Sequence, residues 1–131
     1  MIQLAESRHL RIAIIGDIVA LIVLTIVGFA SHDTLGETTR LIVTTLGALA
    51  GWALIAPWFG AFSTDVLTKP AHVWRIALAW IVTAPFALFL RGWILGIEVS
   101  TTFILTTIAI NGLALILWRA VLAIYVGRSA D

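Results

Sequence analysis

Four ionisable side chains lie inside long apolar stretches of the sequence, and they are the residues best placed to do chemistry. They are Asp17, Arg75, Arg91 and Arg119. A charge inside a bilayer is costly unless it is paired, so such residues face the interior of a helical bundle and often mark ion or proton pathways. Asp17 could therefore titrate in a transport path while an arginine binds an anion.

A structural interpretation of the same charges stays open beside the functional one. Asp17 could pair with Arg119 or Arg75, and the pair would fix how the helices assemble. We favour this interpretation, because buried pairs often specify arrangement. Arg91 lies towards the other side of the membrane, where three acids could reach it: Asp33, Glu37 and Glu98. Fixed guanidinium groups in the bundle would repel a cation, which argues against a multidrug cation exporter.

The composition indicates which elements must position these charges. Of 131 residues, 61% are apolar and 11% are charged, and the mean hydropathy is +1.09. A soluble chain this short cannot build a core that hides so many apolar residues. The net charge of +1 attracts no polyanion, and the lack of cysteine excludes disulfides and thiolate sites. The composition therefore excludes a disordered chain, a nucleic-acid binder and an ordinary soluble enzyme, and indicates a protein of the lipid bilayer.

Four segments are long and apolar enough to cross ~30 Å of hydrocarbon, which takes roughly 20 residues. Their bounds are about 12–30, 41–62, 73–95 and 101–126. The connections between them are short, so consecutive helices must be antiparallel neighbours. We therefore expect an all-α fold, a single domain over residues 1–131 that forms an up-down bundle of four transmembrane helices.

Basic residues near the span ends predict the orientation of the bundle. One side of the membrane holds two of them, Arg40 and Arg91. The other side holds six, namely Arg8, Arg11, Lys69, Arg75, Arg119 and Arg128. This asymmetry predicts that both termini are cytoplasmic and that the chain is a multi-pass protein of the cell inner (cytoplasmic) membrane.

Small residues in the second span predict close helix packing. Gly47 and Gly51 form a GxxxG motif, and Ala56 and Gly60 are again four residues apart. This spacing lets helix backbones approach each other closely. The motif is common in apolar helices, so it indicates packing and only weakly a homodimer.

Two prolines interrupt the predicted membrane helices. Pro57 and Pro85 each lack an N–H donor, so we expect a kink at both. Each stands five residues after a tryptophan, Trp52 or Trp80, in a similar string. The strings could be the remnant of an inverted repeat, as in transporters with broken helices. We favour the simpler interpretation of two kinked packing helices.

The remaining polar candidates predict little chemistry. Asn111, four residues after Thr107, could hydrogen-bond across helices. His32 stands beside Asp33 in a predicted loop, but a metal site needs more ligands at defined spacing. No phosphate loop, nucleophile elbow or HExxH motif is present. We expect no enzyme activity, no metal and no cofactor; a singly ligated pigment, a bound lipid or a quinone is the alternative.

These residues together resemble one family of membrane proteins. The residues that carry the resemblance are Gly16-Asp17, Gly28, Ser31-His32, Gly51-Trp52, Pro57, Gly60, Trp80, Pro85, Arg91 and Trp118-Arg119. In their order and spacing the chain resembles domain-of-unknown-function family number 3054, from about Arg11 to Arg119. The resemblance implies a small four-span prokaryotic membrane protein and supplies no catalytic residue.

Two functions follow as expectations from the sequence. The first is a non-enzymatic accessory or assembly subunit that packs against other membrane proteins, such as a respiratory or photosynthetic complex. The alternative is a small proton-linked or anion transporter, in which Asp17 titrates and Arg119 or Arg75 binds the anion. Neither expectation involves nucleic acid.

Overall fold

The computed structural model describes residues 7–31 and 36–130, so the predicted polar candidate His32 lies outside the described residues. Within those ranges the chain is all-α, with no strand. Four long helices are α1 (Ser7–Ser31), α2 (Thr38–Ile55), α4 (Trp74–Leu95) and α5 (Thr101–Ala130). A short helix, α3 (Thr64–Thr68), lies between α2 and α4.

Each long helix is apolar enough to cross a membrane. Their most apolar windows have mean hydropathies between 1.7 and 2.7, over segments of 22 to 28 residues. Four such helices confirm the predicted all-α membrane architecture. A 28-residue helix is about 42 Å long at 1.5 Å per residue, which exceeds the hydrocarbon thickness of ~30 Å.

The helices pack in a ring, with α1 against α2, α2 against α4, α4 against α5, and α5 against α1. We call the end where α1 begins and α5 finishes the terminal end. The end where α1 finishes and α5 begins is called the far end. Small residues of α1 face the interior, since Ala13 is fully buried, whereas Ile15 and Val19 are more than half exposed on the opposite side. Small residues towards the bundle and large apolar residues towards lipid are expected of a membrane helix that packs closely against its neighbours.

The second helix ends earlier than predicted. Its α-helical part stops at Ile55, and Ala56–Phe59 continue as a 3-10 turn that contains Pro57. Proline has no N–H to donate and suits the first turn of a helix, so the chain changes helix type here. Gly60 then adopts a left-handed φ of 72°, which reverses the chain direction. Pro85, in contrast, lies inside the continuous helix α4.

The connection from residue 56 to residue 73 is a structured cap and not an open loop. The Ser63 side chain accepts a hydrogen bond from the Val66 backbone N–H, which starts α3. Ala61, Val66 and Leu67 are essentially inaccessible. Leu67 packs in one apolar cluster with residues of α1 and α5, namely Ala13, Leu122 and Val126. The connection therefore closes the terminal end of the bundle.

Gly60→Ala is expected to lower the free energy of unfolding by about 1–2 kcal/mol, the cost of a left-handed residue that carries a Cβ. The new Cβ would also lie 2.9 Å from Arg75 Nη1. Gly96→Ala is the matched control, because Gly96 has a similar φ of 66° with open space around it. Unfolding by dodecyl sulfate in mixed micelles measures both. A loss at Gly96 equal to that at Gly60 would show that the Arg75 contact contributes nothing.

Candidate functional site

A buried ion pair joins the first and last helices. Arg119 Nε donates to Asp17 Oδ1 at 2.8 Å, and Arg119 Nη2 donates to Asp17 Oδ2 at 2.6 Å. Both side chains are 1% exposed. A planar guanidinium that binds both oxygens of a carboxylate in this way is the strongest pairing geometry available to these groups. Of the two arginines proposed as partners of Asp17, the structure places Arg119 there.

Two tryptophans complete the coordination of the carboxylate. Trp118 Nε1 donates to Asp17 Oδ1 and Trp52 Nε1 donates to Asp17 Oδ2, each at 2.9 Å. Each carboxylate oxygen thus accepts two hydrogen bonds, which uses the four lone-pair positions of the group. We call Asp17, Trp52, Trp118 and Arg119 the carboxylate cluster. Its acceptor capacity is filled from within the chain, so it offers no site to a solute.

The other half of the Arg119 guanidinium holds the cap in place. Its Nη1 donates to the backbone carbonyl of Ala61 at 2.7 Å, and its Cζ lies 5.1 Å from the centre of the Phe62 ring. Trp52 also contacts Trp80 of α4, with ring centres 6.0 Å apart. The carboxylate cluster therefore ties together all four long helices and the connection that closes the terminal end.

The structure does not bring Arg75 or Arg91 to Asp17. Arg75 lies with its guanidinium 5.4 Å from the centre of the Trp74 ring, and its Nε is buried without a hydrogen-bond partner among the described residues. Arg91 lies near the far end, where its Nε donates to Thr44 Oγ1 at 2.6 Å. The four charged side chains predicted inside the membrane therefore lie at three separate places in the bundle: Asp17 with Arg119, Arg75 beside Trp74, and Arg91 near the far end.

A cavity of about 650 Å³ occupies the far half of the bundle. All four long helices line it, and the wall combines apolar side chains with several hydroxyl groups. Leu24, Ala84 and Leu88 are among the apolar members, and Thr102, Thr106 and Asn111 are among the polar ones. We call this space the far cavity. Its volume lies within the range of small-molecule sites in proteins.

Arg91 lines the far cavity as a cation without a carboxylate partner in the described part of the chain. Glu37, which lines the same cavity, pairs with Arg40 at 3.5 Å. Arg91 is 8% exposed and its Cζ stands 5.2 Å from the centre of the Phe103 ring. Apart from the Nε bond to Thr44, none of its N–H donors has a hydrogen-bond partner among residues 7–31 and 36–130. Those donors are available to a ligand in the cavity.

The GxxxG motif is used inside the chain. A Cβ at Gly51 would lie 3.2 Å from Thr83 Cγ2, and one at Gly47 would lie 3.4 Å from the Ala87 carbonyl oxygen. Both glycines therefore face α4 and let it approach α2 closely. The motif is then not available as a dimer surface. Asn111 lines the far cavity, and Trp80 Nε1 donates to the backbone carbonyl of Thr107, one turn before it.

The described residues contain no group of three or more histidine, aspartate or glutamate side chains that could hold a metal ion. The residues that sequence analysis missed are the hydrogen-bond partners: the two tryptophans on Asp17, the Ala61 carbonyl and Thr44. A signal for the tryptophans does exist. Both tryptophans belong to the residues that carry the family resemblance, in the pairs Gly51-Trp52 and Trp118-Arg119. Nothing in the sequence marks Thr44 or Ala61.

Comparison with known families assigns the chain. The model of the family described as "Protein of unknown function (DUF3054)" matches residues 14–122, which include both the carboxylate cluster and Arg91. No curated protein and no solved structure matches the chain. The match covers most of the sequence, and the chain belongs to this family.

Proposed function

We propose that this member of the DUF3054 family is a non-enzymatic membrane protein that binds an amphipathic organic anion in the far cavity. The observation that carries the proposal is Arg91, a buried cation that forms no ion pair with the described residues, on the wall of a cavity of about 650 Å³. A buried charge is retained against a large solvation cost, which is typical of functional positions in membranes. In the predicted orientation, with both termini cytoplasmic, this cavity lies towards the non-cytoplasmic side of the inner membrane.

The chemistry of the wall specifies the ligand class. A guanidinium presents a fork of N–H donors that matches carboxylate, sulfonate or phosphate oxygens. Apolar side chains such as Leu24 and Leu88 suit a hydrocarbon portion, and pockets of this kind commonly combine an apolar wall with a few polar anchors. An anion with an apolar tail satisfies both parts of the wall.

The carboxylate cluster has a structural role in this proposal. Asp17 already accepts four hydrogen bonds, and its partner Arg119 holds the cap through Ala61. Protonation or ligand binding at Asp17 would have to break this arrangement. The proposal therefore assigns ligand binding to Arg91 and does not use Asp17 as a proton carrier.

Thermal unfolding of the purified protein in a neutral maltoside detergent tests the proposal. We expect decanesulfonate to raise the unfolding temperature and decyltrimethylammonium, with the same chain length, to leave it unchanged. Arg91→Gln is expected to weaken decanesulfonate binding about tenfold to hundredfold, since a hydrogen bond to a charged group contributes about 1.5–3 kcal/mol. Arg91→Lys keeps the charge and is expected to recover part of the affinity.

Arg40→Gln is the matched control, because Arg40 also lines the cavity but is about half exposed and paired with Glu37. We expect it to change the affinity severalfold less than Arg91→Gln. Equal stabilisation by the anion and the cation, or equal effects of the two substitutions, would contradict the proposal.

An accessory or assembly subunit is the second candidate function. Trp58 and Trp93 offer a contact surface for it, since their side chains are 86% and 82% exposed at the two ends of the bundle, where tryptophan also anchors helices in the membrane interface. Purification from the native membrane in mild detergent tests this role. Companion proteins that remain bound through a second column would support it, and recovery only as a free chain would exclude it.

A further inference from the structure

The far cavity opens sideways between α1 and α5. Val27 of α1 and Ile110 of α5 both line it, yet their side chains are 54% and 57% exposed. Side chains with more than half of their surface accessible form an edge of the cavity and not a closed wall. Gly28, the residue after Val27 in α1, also lines the cavity. A Cβ at this position would have nothing within 4 Å. The gap is thus open to whatever surrounds the bundle.

The depth of this opening places it in the hydrocarbon of one leaflet. Ile110 is nine residues beyond the start of α5 at Thr101, which is about 14 Å along the helix at 1.5 Å per residue. Helix α5 has 30 residues and is about 45 Å long, so about 7 Å of it lies outside a ~30 Å hydrocarbon core at each end, and Ile110 stands about 6 Å inside the core. The opening therefore faces the acyl chains of one leaflet.

The polar groups lie at the opposite, shallow end of the same space. Arg91 is four residues before the end of α4 at Leu95, about 6 Å along the helix. The cavity wall at this end also includes the hydroxyl-bearing residues Ser100 and Thr102. Glu98, also on the wall, offers a carboxylate to a cationic or hydroxylated part of a headgroup. From the far end inwards, the cavity wall is first polar and then apolar, as a lipid leaflet is from its headgroups to its acyl chains.

We propose that the ligand of the far cavity is a phospholipid of the far leaflet, which enters sideways between α1 and α5 and places its phosphate at Arg91. This inference rests on the proposed binding of an amphipathic anion at Arg91 and names the class of that anion. One of its two acyl chains occupies the apolar part of the cavity from Leu24 to Ile110, and the other stays in the leaflet. A phosphate diester supplies the oxygens that a guanidinium fork binds.

Photocrosslinking in nanodiscs tests the inference. The probes are phosphatidylglycerol and diacylglycerol that carry the same diazirine-labelled acyl chain, each at a few per cent in phosphatidylcholine. We expect the phospholipid to label peptides around Val27 and Ile110 at least fivefold more than diacylglycerol does. Arg91→Gln is expected to reduce phospholipid labelling to the level of diacylglycerol, and Arg91→Lys to restore part of the difference.

A gap-filling substitution tests the sideways path. Gly28→Trp puts a large side chain into open space beside the cavity, and Val23→Trp is its control on a more than half exposed part of α1 outside the cavity lining. We expect Gly28→Trp to lower phospholipid labelling at least fivefold and Val23→Trp to leave it unchanged. Unchanged labelling in Gly28→Trp would overturn the sideways path.

Decanesulfonate binding by the same preparations separates failure of this inference from failure of the proposed function. Binding of decanesulfonate without specific phospholipid labelling would show a site filled from water, which overturns the inference and leaves the proposed function standing. Loss of both would overturn both. Equal labelling by phosphatidylglycerol and diacylglycerol would show that the phosphate is not recognised, which also overturns the inference.

Discussion

Arg119→Met is expected to lower the free energy of unfolding by about 3–5 kcal/mol, the usual cost of removing one partner from a buried ion pair. Asp17 would keep its two tryptophan donors but lose the cation that binds both oxygens. Ala61 would lose the donor on its carbonyl as well. Titration with dodecyl sulfate in mixed micelles, followed by tryptophan fluorescence, measures the loss.

The double variant Asp17→Asn, Arg119→Met distinguishes a lost charge partner from lost packing. Asparagine keeps an oxygen for a tryptophan N–H and carries no charge, so the double variant is expected to be more stable than Arg119→Met alone. Arg11→Met is the control, because Arg11 is an exposed arginine of α1 and its loss is expected to change stability by less than about 0.5 kcal/mol. Additive losses from Asp17→Asn and Arg119→Met would contradict a coupled pair.

The same variants decide between the two interpretations of Asp17. If the carboxylate cluster is structural, Asp17→Asn lowers stability and leaves the affinity of the remaining folded protein for decanesulfonate unchanged. If Asp17 carries protons, Asp17→Asn abolishes proton-linked flux in liposomes at normal stability. The second result would overturn the structural assignment.

Gly16→Ala is the second substitution with a large expected effect. A Cβ at Gly16 would overlap with Cζ2 and Cε2 of the Trp118 indole. The indole cannot swing away freely, because its Nε1 donates to Asp17. Overpacking of this kind costs typically 1–3 kcal/mol, and the lost hydrogen bond to a charged group adds about 1.5–3 kcal/mol. We expect a loss of roughly 3–5 kcal/mol in the same unfolding measurement.

Two further variants isolate the cause of that loss. Gly28→Ala changes the same helix at a position where the Cβ meets nothing within 4 Å, so it is expected to be neutral or to stabilise by up to about 1 kcal/mol. Trp118→Phe removes the ring atoms that clash. In that background Gly16→Ala is expected to cost much less than in the native chain, and an undiminished cost would mean that the clash is not the reason.

The four spans and their antiparallel order could be predicted, because hydropathy over about 20 residues and short connections determine both. The choice of Arg119 over Arg75 as the partner of Asp17 could not be predicted. Hydropathy places both arginines in the same half of the membrane as Asp17. The apolar surface of a membrane helix does not fix the rotation of the helix well enough to choose between them. The partner is decided by the rotation of α5, which also presents Trp118 to the same carboxylate.

The far cavity and the cap could not be predicted from the sequence, for two different reasons. A cavity is the space that packed side chains fail to fill, so it depends on the tilt and separation of helices that local pattern does not encode. The cap does have local signals: Pro57 begins the 3-10 turn, Gly60 reverses the chain and Ser63 starts α3. These signals predict a turn. They do not predict that Val66 and Leu67 fold back into the bundle.

The ion pair between the first and last helices can form only at the end of synthesis. Asp17 and Arg119 are 102 residues apart, so α1 emerges from the ribosome roughly 5–20 s before α5 at ordinary elongation rates. Throughout that interval the first helix carries a carboxylate whose cationic partner does not yet exist. An unpaired aspartate at the centre of a span costs only about 2.5–3.5 kcal/mol on insertion scales, and α1 is the most apolar of the four spans with a mean hydropathy of 2.7, so α1 can insert without its partner. The stabilisation that the ion pair provides is then gained only when α5 joins the bundle.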